Sequence, residues 1–380
     1  MKSKHWLIIF SFYLVYMSIA NAQMSLNQKI GQMLMVGFCG TTLHDNDPIV
    51  KDILAQRIGG VVLYDKNVKT QQTCNIENPK QLKQLTDQLQ KITLKAAEIH
   101  HNHLYPLLIA IDYEGGKVVN LKTEKGFPKT LSAEDLGKST DAKAQQYAAQ
   151  MAKTLQDLGI NFDFAPVLDV NVNANNPVIA KYGRSFSKDP EQVVKYAGIF
   201  SHAFHEAHIL CAYKHFPGHG SAEKDSHLGL VDLSRTWKTE ELIPYQALFK
   251  DPNSCDLVMT AHILNQGLDK NNYPATLSYA MTTELLRKQL GFKGTVVTDD
   301  LQMGAISKYY ELTTITQLAI GAGADILLFS NQLVETPQNT STIMNTIAKE
   351  VRERKISENR ITDAYHRVMK LKEGLDMGEK

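Results

Sequence analysis

The chain has 380 residues, with 41 basic and 40 acidic side chains and a formal net charge of +1 at pH 7. This balance excludes nucleic-acid binding through a basic stripe, and no charged tail indicates a protein partner. The length is enough for a large hydrophobic core, organised either as one big barrel or as two medium domains.

The first 22 residues have the pattern of a secretory signal peptide. Lys2 and Lys4 provide a positive start, an apolar run follows from Trp6 to Ile19, and Ala20-Asn21-Ala22 is an A-x-A cleavage site. The run is short for a membrane anchor, and an uncleaved anchor is the alternative. We therefore expect an exported protein, periplasmic or secreted, with no membrane anchor after cleavage and with its domain at residues 23–380.

Eight short apolar runs indicate eight buried strands. They lie at residues 34–38, 59–64, 107–111, 162–168, 209–213, 257–262, 294–298 and 324–329. Helical patterns alternate with them, at residues 28–35, 79–101, from 132 onward, 282–290, 341–354 and 358–371. Continuous apolar strands are typical of a sheet covered on both faces. The alternation predicts an α/β protein with a single (β/α)8 barrel, and a doubly wound open sheet is the alternative.

Polar and charged residues follow several of these runs. Asp112, Lys214, His215, His262 and Asp299 are placed at the C-terminal ends of predicted strands, with Arg184 in the loop after the fourth. In a barrel these ends share one rim, and enzymatic chemistry occurs at that rim. Pro166, inside the fourth run, predicts a bulge or an early strand end.

The richest of these segments runs from Lys214 to His227 and contains three histidines. Asp225 and His227 are two residues apart, so the carboxylate can orient the imidazole and favour its charged form. His215 and His219 could instead form a metal pair, and a purely structural role is also open.

Together these motifs resemble the bacterial, single-domain β-N-acetylglucosaminidases of glycoside hydrolase family 3. The matching segments are Asp112-Tyr113-Glu114-Gly115-Gly116, residues 164–171, Gly183-Arg184-Ser185-Phe186, residues 214–220 with Asp225-Ser226-His227, and Thr298-Asp299-Asp300-Leu301. They occur in the family's order and span most of the chain. The Pro-Gly-His-Gly segment at 217–220 and the Asp-Ser-His segment at 225–227 are specific to this branch.

The resemblance implies a role for each matching residue. Asp299 would be the nucleophile that forms a covalent glycosyl intermediate, and His227 would be the general acid/base, held by Asp225. The residues implied to bind sugar in the −1 subsite are Asp112, Arg184, Lys214 and His215. Asp169 and His262 are expected to support the rim, and the Asp300 side chain should point away if Asp299 points inward. No metal and no organic cofactor are implied.

The implied activity is that of a retaining exo-β-N-acetylglucosaminidase. Its substrates would be small carbohydrates, namely peptidoglycan fragments or chitin-type oligosaccharides. The alternatives are a phosphorylase that uses the same dyad, a β-glucosidase of the same family, and a sugar-binding barrel without catalysis.

Two features depart from the family or leave a choice open. The family usually has Arg at the positions of Lys117 and Asn120, and the second Arg contacts substrate, so Asn120 puts part of the sugar recognition in doubt. Four cysteines allow disulfides in an exported chain. Cys39 and Cys74 lie in predicted loops and are the favoured pair, whereas Cys211 and Cys255 adjoin apolar runs and are predicted to be buried thiols.

Overall fold

Eight parallel strands follow one another around a closed cylinder in the computed structural model, which describes residues 24–375. The strands are β1 (Leu34–Gly37), β2 (Gly60–Leu63), β3 (Leu108–Ile111), β4 (Phe162–Asp163), β5 (Leu210–Phe216), β6 (Leu257–Thr260), β7 (Thr295–Thr298) and β8 (Leu327–Phe329). Each strand pairs with its sequence neighbour, and β8 pairs with β1. The predicted (β/α)8 barrel is therefore confirmed, and the open sheet is excluded.

Helices connect the strands on the outside of the cylinder. They are α1 (Leu26–Gln32), α2 (Pro48–Leu54), α3 (Pro79–His100), α4 (Ala133–Gly137), α5 (Asp141–Asp157), α6 (Pro190–Glu206), α7 (Ile243–Leu248), α8 (Gly304–Ser307), α9 (Leu312–Ala322), α10 (Thr340–Arg352) and α11 (Glu358–Glu373). A π-helix, Ala280–Gln289, occupies the place between β6 and β7. Local sequence explains where α3 begins: the Asn78 side chain accepts the Gln81 amide, and Pro79 takes the first helical position.

Alternate strand residues face two different apolar layers. In β1, Leu34 and Val36 pack against the helices, whereas Met35 points into the barrel interior together with Leu108 and Phe162. Because both faces are buried, polar residues have no place along most of each strand, which explains the continuous apolar runs.

Two strands differ in length from the prediction. The fourth ends at Asp163 because Pro166 has no amide hydrogen for the ladder, although Val167 forms a bridge to Lys214 further along. The fifth continues to Phe216, so Lys214 and His215 lie inside the strand rather than in the loop after it. This places both side chains on a rigid element.

Strands β7 and β8 are joined by side-chain ion pairs as well as by backbone hydrogen bonds. Their ladder contains a single bridge, Val297 to Ile326. The buried carboxylate of Asp325 accepts a hydrogen bond from the Val296 amide at 3.0 Å. It also pairs with three guanidinium groups, those of Arg287, Arg360 and Arg367. Helix α11 is thereby attached to the strand that completes the barrel.

Both pairs of cysteines form disulfides. The Cys39–Cys74 bridge confirms the favoured pair and joins the loops that follow β1 and β2. The prediction of free thiols at Cys211 and Cys255 was wrong, since these residues are also bridged, with Cα atoms 5.0 Å apart. The reason is strand register: Ala212 pairs with Leu257, which brings the starts of β5 and β6 side by side.

The predicted signal peptide, residues 1–22, lies outside the described residues. Within residues 24–375, no helix combines the length and the apolar character that crossing a bilayer requires.

A buried lysine lies at the amino-terminal end of the barrel. The Lys372 ammonium of α11 donates to the Gly59 carbonyl at 2.7 Å and to Gln32 Oε1 at 2.8 Å. Burial disfavours the charged form and lowers the pKa of Lys372 to about 7.

The Lys372 environment predicts a pH-dependent stability. An unfolded lysine stays protonated to about pH 10.4, so the unfolded chain binds more protons than the folded chain above pH 7. Relative to Lys372→Met, the wild-type free energy of unfolding should therefore rise between pH 7 and pH 9, with a limiting slope of about 1.4 kcal/mol per pH unit. Urea unfolding at several pH values measures this difference. Lys370→Met, at an exposed position of α11, is the control and should show no such pH dependence. A stability difference between wild type and Lys372→Met that does not change with pH would contradict the prediction.

Candidate active site

The carboxyl end of the barrel brings the predicted sugar-binding residues together around Glu114. Glu114 lies in a short strand, Tyr113–Gly115, directly after β3. Its carboxylate accepts two hydrogen bonds from Arg184, from Nε at 2.8 Å and from Nη2 at 2.7 Å. The ammonium of Lys214 is 2.6 Å from the same carboxylate and donates to Asp112 at 2.7 Å. Four charged residues from three barrel segments thus form one connected group.

Burial and charge act against each other in this group. Burial alone would raise the pKa of Glu114, but Arg184 and Lys214 outweigh it and lower that pKa to about 2. Burial likewise acts to lower the pKa of Lys214, but Asp112 and Glu114 raise it above its ordinary value. Glu114 and Lys214 therefore both remain ionised at neutral pH. Asp112 is the most exposed of the four residues, with 38% of its side chain accessible, and it is the member best placed to meet a ligand.

His215 connects this group to Asp169. Its Nδ1 lies 2.7 Å from Asp169 Oδ2, and its Nε2 lies 3.2 Å from Arg184 Nη2. Because Arg184 can only donate, Nε2 must accept, and the proton of the neutral ring resides on Nδ1. Burial, with Arg184 and Lys214 nearby, holds the pKa of His215 well below its usual value.

Asp169 and His262 are structural supports, as predicted. Asp169 is fully buried and also accepts the backbone amides of His215 and His219, at 3.2 and 2.7 Å. His262 is hydrogen-bonded to Thr276 Oγ1 at 2.8 Å and to the Asp300 carbonyl at 2.8 Å. With both nitrogens of His215 and of His262 engaged, neither ring is free for a metal ion. Across residues 24–375 no group of three or more His, Cys, Asp and Glu has metal-binding geometry.

Asp299 and Asp300 point in different directions at the end of β7. Asp300 is buried and accepts hydrogen bonds from the Ser330 hydroxyl, at 2.5 Å, and from the Ser330 amide, at 3.1 Å. Asp299 is half-buried, and its Oδ1 accepts the Asp300 amide at 2.8 Å. The predicted divergence of the two side chains is confirmed.

The electrostatics of these neighbours separate them further. Burial raises the pKa of Asp300 to about 6. Burial also acts to raise the pKa of Asp299, but His262, His215 and His227 outweigh it and hold that pKa below its usual value. Of these two neighbours, Asp299 therefore has the lower pKa.

His227 and Asp225 form the expected pair. His227 Nδ1 lies 2.7 Å from Asp225 Oδ1, and the His227 amide donates to the same oxygen at 2.8 Å. The imidazole is 49% exposed, and the His227 carbonyl accepts the Gly304 amide at 3.2 Å, in the segment that follows Asp299. Ser226, which lies between Asp225 and His227 in the sequence, is buried and contacts His219 Nε2 at 3.2 Å.

Sequence reasoning missed Glu241, which stabilises the segment from Lys214 to His227. Its Oε2 accepts the Gly220 amide at 2.9 Å, and burial raises its pKa to about 7. A Cβ at Gly218, whose φ is +120°, would lie 2.7 Å from Glu241 Cβ, so only glycine fits there. Glu241 is 21 residues from Gly220 in an acidic stretch, and no local pattern distinguishes it from a surface residue.

Asn120 occupies a position where the family usually has arginine, and here it forms hydrogen bonds with the backbone of two segments. Its Oδ1 accepts the Asp65 amide at 3.0 Å, and its Nδ2 donates to the Asp112 carbonyl at 3.2 Å. The Asp65 carboxylate pairs with Lys122 at 2.6 Å and with Lys125. The loop after β2 is thus attached to the segment that carries Asp112. Lys117, at the other departure, donates to the Lys181 carbonyl at 3.1 Å.

Comparison with known proteins agrees with this geometry. Residues 25–371 match the glycosyl hydrolase family 3 N terminal domain. The chain is 33% identical to β-hexosaminidase A of Pseudoalteromonas piscicida, over 93% of this chain and 62% of that protein. It is 32% identical to a β-hexosaminidase of Idiomarina loihiensis, over 78% of this chain and 83% of that protein. A solved family 3 β-N-acetylglucosaminidase from Paenibacillus superposes with a TM-score of 0.81 at 34% identity, covering 92% of this chain and 62% of that one.

The chain therefore belongs to glycosyl hydrolase family 3, a family of glycoside hydrolases, and the resemblance drawn from its motifs is confirmed. It spans less than two thirds of the length of the P. piscicida hexosaminidase and of the Paenibacillus enzyme. The individual roles of the predicted catalytic and sugar-binding residues stay predictions.

The double pairing of Glu114 predicts a large stability loss on neutralisation. Glu114→Gln keeps the shape but leaves Arg184 and Lys214 with one fewer buried anion, and breaking a buried pair costs about 3–5 kcal/mol. Urea unfolding at pH 7 should show a decrease of about 3 kcal/mol in the free energy of unfolding. Glu284→Gln is the matched control, because its pair with Lys288 is on the surface. Equal stabilities for both variants would contradict the inferred role of Glu114.

Proposed function

We propose that this chain is a retaining exo-β-N-acetylglucosaminidase. One observation carries the proposal: the ionised carboxylate of Asp299 and the His227–Asp225 pair are presented at the same end of the barrel. The hexosaminidase names of its relatives support the choice of an N-acetylhexosamine as the sugar removed.

In the first step, the Asp299 carboxylate attacks the anomeric carbon while the bond to the leaving oxygen breaks. His227 gives its proton to that oxygen, so the alcohol leaves uncharged and a glycosyl ester remains on Asp299. In the second step, neutral His227 takes a proton from water, and the resulting hydroxide attacks the anomeric carbon. The ester bond to Asp299 breaks, and the sugar is released with its original configuration. Positioned proton transfer of this kind contributes about 10²–10⁴ in rate.

A histidine as acid/base suits this electrostatic setting. Asp299 is negative, so a second carboxylate facing it would raise the pKa of one of the pair. A protonated imidazole opposite Asp299 instead stabilises the charge of the nucleophile, and Asp225 offsets the loss of solvent around the ring. The partial exposure of His227 leaves room for a leaving group on that side.

The group around Glu114 supplies the sugar-binding surface in this proposal. Asp112 can accept hydrogen bonds from sugar hydroxyls, and the Lys214 ammonium holds its carboxylate in place at 2.7 Å. Charge-assisted hydrogen bonds are short and directional, which suits recognition of one hydroxyl pattern. His215 has both ring nitrogens engaged here, so in this arrangement its contribution is to orient Arg184.

The physiological substrates proposed are peptidoglycan fragments or chitin-type oligosaccharides with a terminal β-linked N-acetylglucosamine. The predicted signal peptide suggests action in the periplasm or in the medium. Incubation with muropeptides and with chitobiose, followed by product analysis, identifies the preferred leaving group. Added phosphate provides a second arm, since formation of a sugar phosphate would identify the phosphorylase alternative.

Turnover of chromogenic substrates tests the chemistry. The wild type should hydrolyse 4-nitrophenyl N-acetyl-β-glucosaminide much faster than 4-nitrophenyl β-glucoside. Asp299→Ala should lower kcat by at least about 10³, because the residue that forms the covalent bond is gone. Asp157→Ala, which removes a surface carboxylate paired with Lys153, is the control and should keep full activity. A preference for the glucoside would overturn the sugar assignment, and an active Asp299→Ala would remove Asp299 as nucleophile.

A further inference from the structure

The segment that carries His227 is attached to the turn that follows Asp299. The Gly304 amide donates to the His227 carbonyl at 3.2 Å. Four residues on, the Lys308 ammonium donates to the Leu228 carbonyl at 3.0 Å. Two consecutive carbonyls of the acid/base segment are therefore held by α8 and the residue that ends it.

The turn between Asp299 and Gly304 is itself firmly anchored. The buried Asp300 carboxylate accepts the Gln302 amide at 3.1 Å, in addition to its bonds from Ser330. The Asp300 carbonyl accepts the Met303 amide at 3.0 Å, and the Leu301 amide donates to the Leu328 carbonyl at 3.0 Å. Four residues, 300–303, thus connect Asp299 to Gly304 through a turn that is held by several hydrogen bonds.

Close packing at Gly304 shows how tight the contact is. A Cβ built on Gly304 would lie 2.7 Å from the His227 carbonyl oxygen and 3.2 Å from both the carbon and the oxygen of the Leu228 carbonyl. No rotation of a side chain can relieve such a clash, because all these atoms belong to the backbone. Any residue larger than glycine must therefore displace the His227 segment.

We propose that Gly304 and Lys308 are positioning residues that fix the acid/base His227 at a set distance from the nucleophile Asp299. This inference rests on the proposed function for its catalytic meaning. The turn determines the distance between the two groups, because its first end carries Asp299 and its other end holds the backbone of His227. Proton donation depends on that distance, and a displacement of about 1 Å can cost about a hundredfold in rate.

Leaving-group dependence tests the proposal. The leaving group of chitobiose is a weakly acidic sugar hydroxyl that needs full proton donation, whereas 4-nitrophenyl N-acetyl-β-glucosaminide releases an acidic phenol that needs little. Gly304→Ala should lower kcat/KM for chitobiose at least about tenfold, and for the nitrophenyl substrate less than about threefold. Lys308→Met should show the same selective loss to a smaller degree, and Lys308→Arg should restore it because it keeps the donor.

Matched controls separate docking from general damage. Gly321→Ala lies in α9, where a Cβ meets no atom within 4 Å, and Lys288→Met removes a surface lysine. Both should leave the two substrates unaffected. Equal losses on both substrates in Gly304→Ala would overturn the proposal, as would wild-type behaviour of Gly304→Ala on chitobiose.

Hydrogen exchange on the full chain gives a readout that does not depend on activity. Peptides covering residues 225–229 should exchange faster in Gly304→Ala than in Gly321→Ala, because the His227 segment loses its docking contact. Identical exchange in the two variants would overturn the docking. If the wild type hydrolysed neither substrate, the proposed function would fail, and the exchange rates alone would still decide whether the segment is docked.

Discussion

The ionic group centred on Glu114 is the constraint on which the candidate site depends. Lys214 is a buried cation at the mouth of the barrel and Arg184 a largely buried one, and such charges are tolerated only when they are paired. Glu114 pairs with both at once, so it determines where each can lie. Asp112 and His215 are then oriented through these two cations. Removing one member would disturb the whole rim rather than a single contact.

A second level of support comes from two buried carboxylates. Asp169 holds two amides and one imidazole, and Asp300 holds an amide and a hydroxyl of the residue after β8. Their carboxylates replace the backbone partners that strands lose at their ends. The His215 imidazole and the Ser330 hydroxyl are thereby satisfied internally, whereas Asp112, Asp299 and His227 are more exposed. The division between supporting and accessible residues follows from burial.

The sequence allowed the barrel to be predicted because strands buried on both faces must be continuously apolar. The same reasoning placed Asp112 and Asp299 at strand ends, where the first charged residue interrupts each run. Strand limits were less predictable, since the polar residues Lys214 and His215 continue β5. Their burial is possible because carboxylates that follow β3 and β4 pair with them, and such distant pairing has no local signature.

Long-range partners were also the source of the errors. The apolar neighbours of Cys211 and Cys255 predict buried thiols, and only the register of β5 with β6 brings the two residues together as a disulfide. Glu241 was overlooked for the same reason, because its importance comes from lying beneath Gly218 and Gly220. Motif recognition placed Asp112 and Asp299 at the barrel mouth, and it gave no signal for Glu241, whose contacts depend on residues far away in the sequence.

The two disulfides lie at opposite ends of the barrel. Cys39–Cys74 joins loops at the carboxyl end, close to the Asp65 segment, whereas Cys211–Cys255 ties the starts of two strands at the base. A reducing environment would therefore loosen the mouth and the base independently, and the two losses would have different signatures. Freedom at the mouth would alter how ligands are admitted, while freedom at the base would alter how readily the barrel opens. The redox state of the compartment in which this protein is produced thus determines whether the two bridges form.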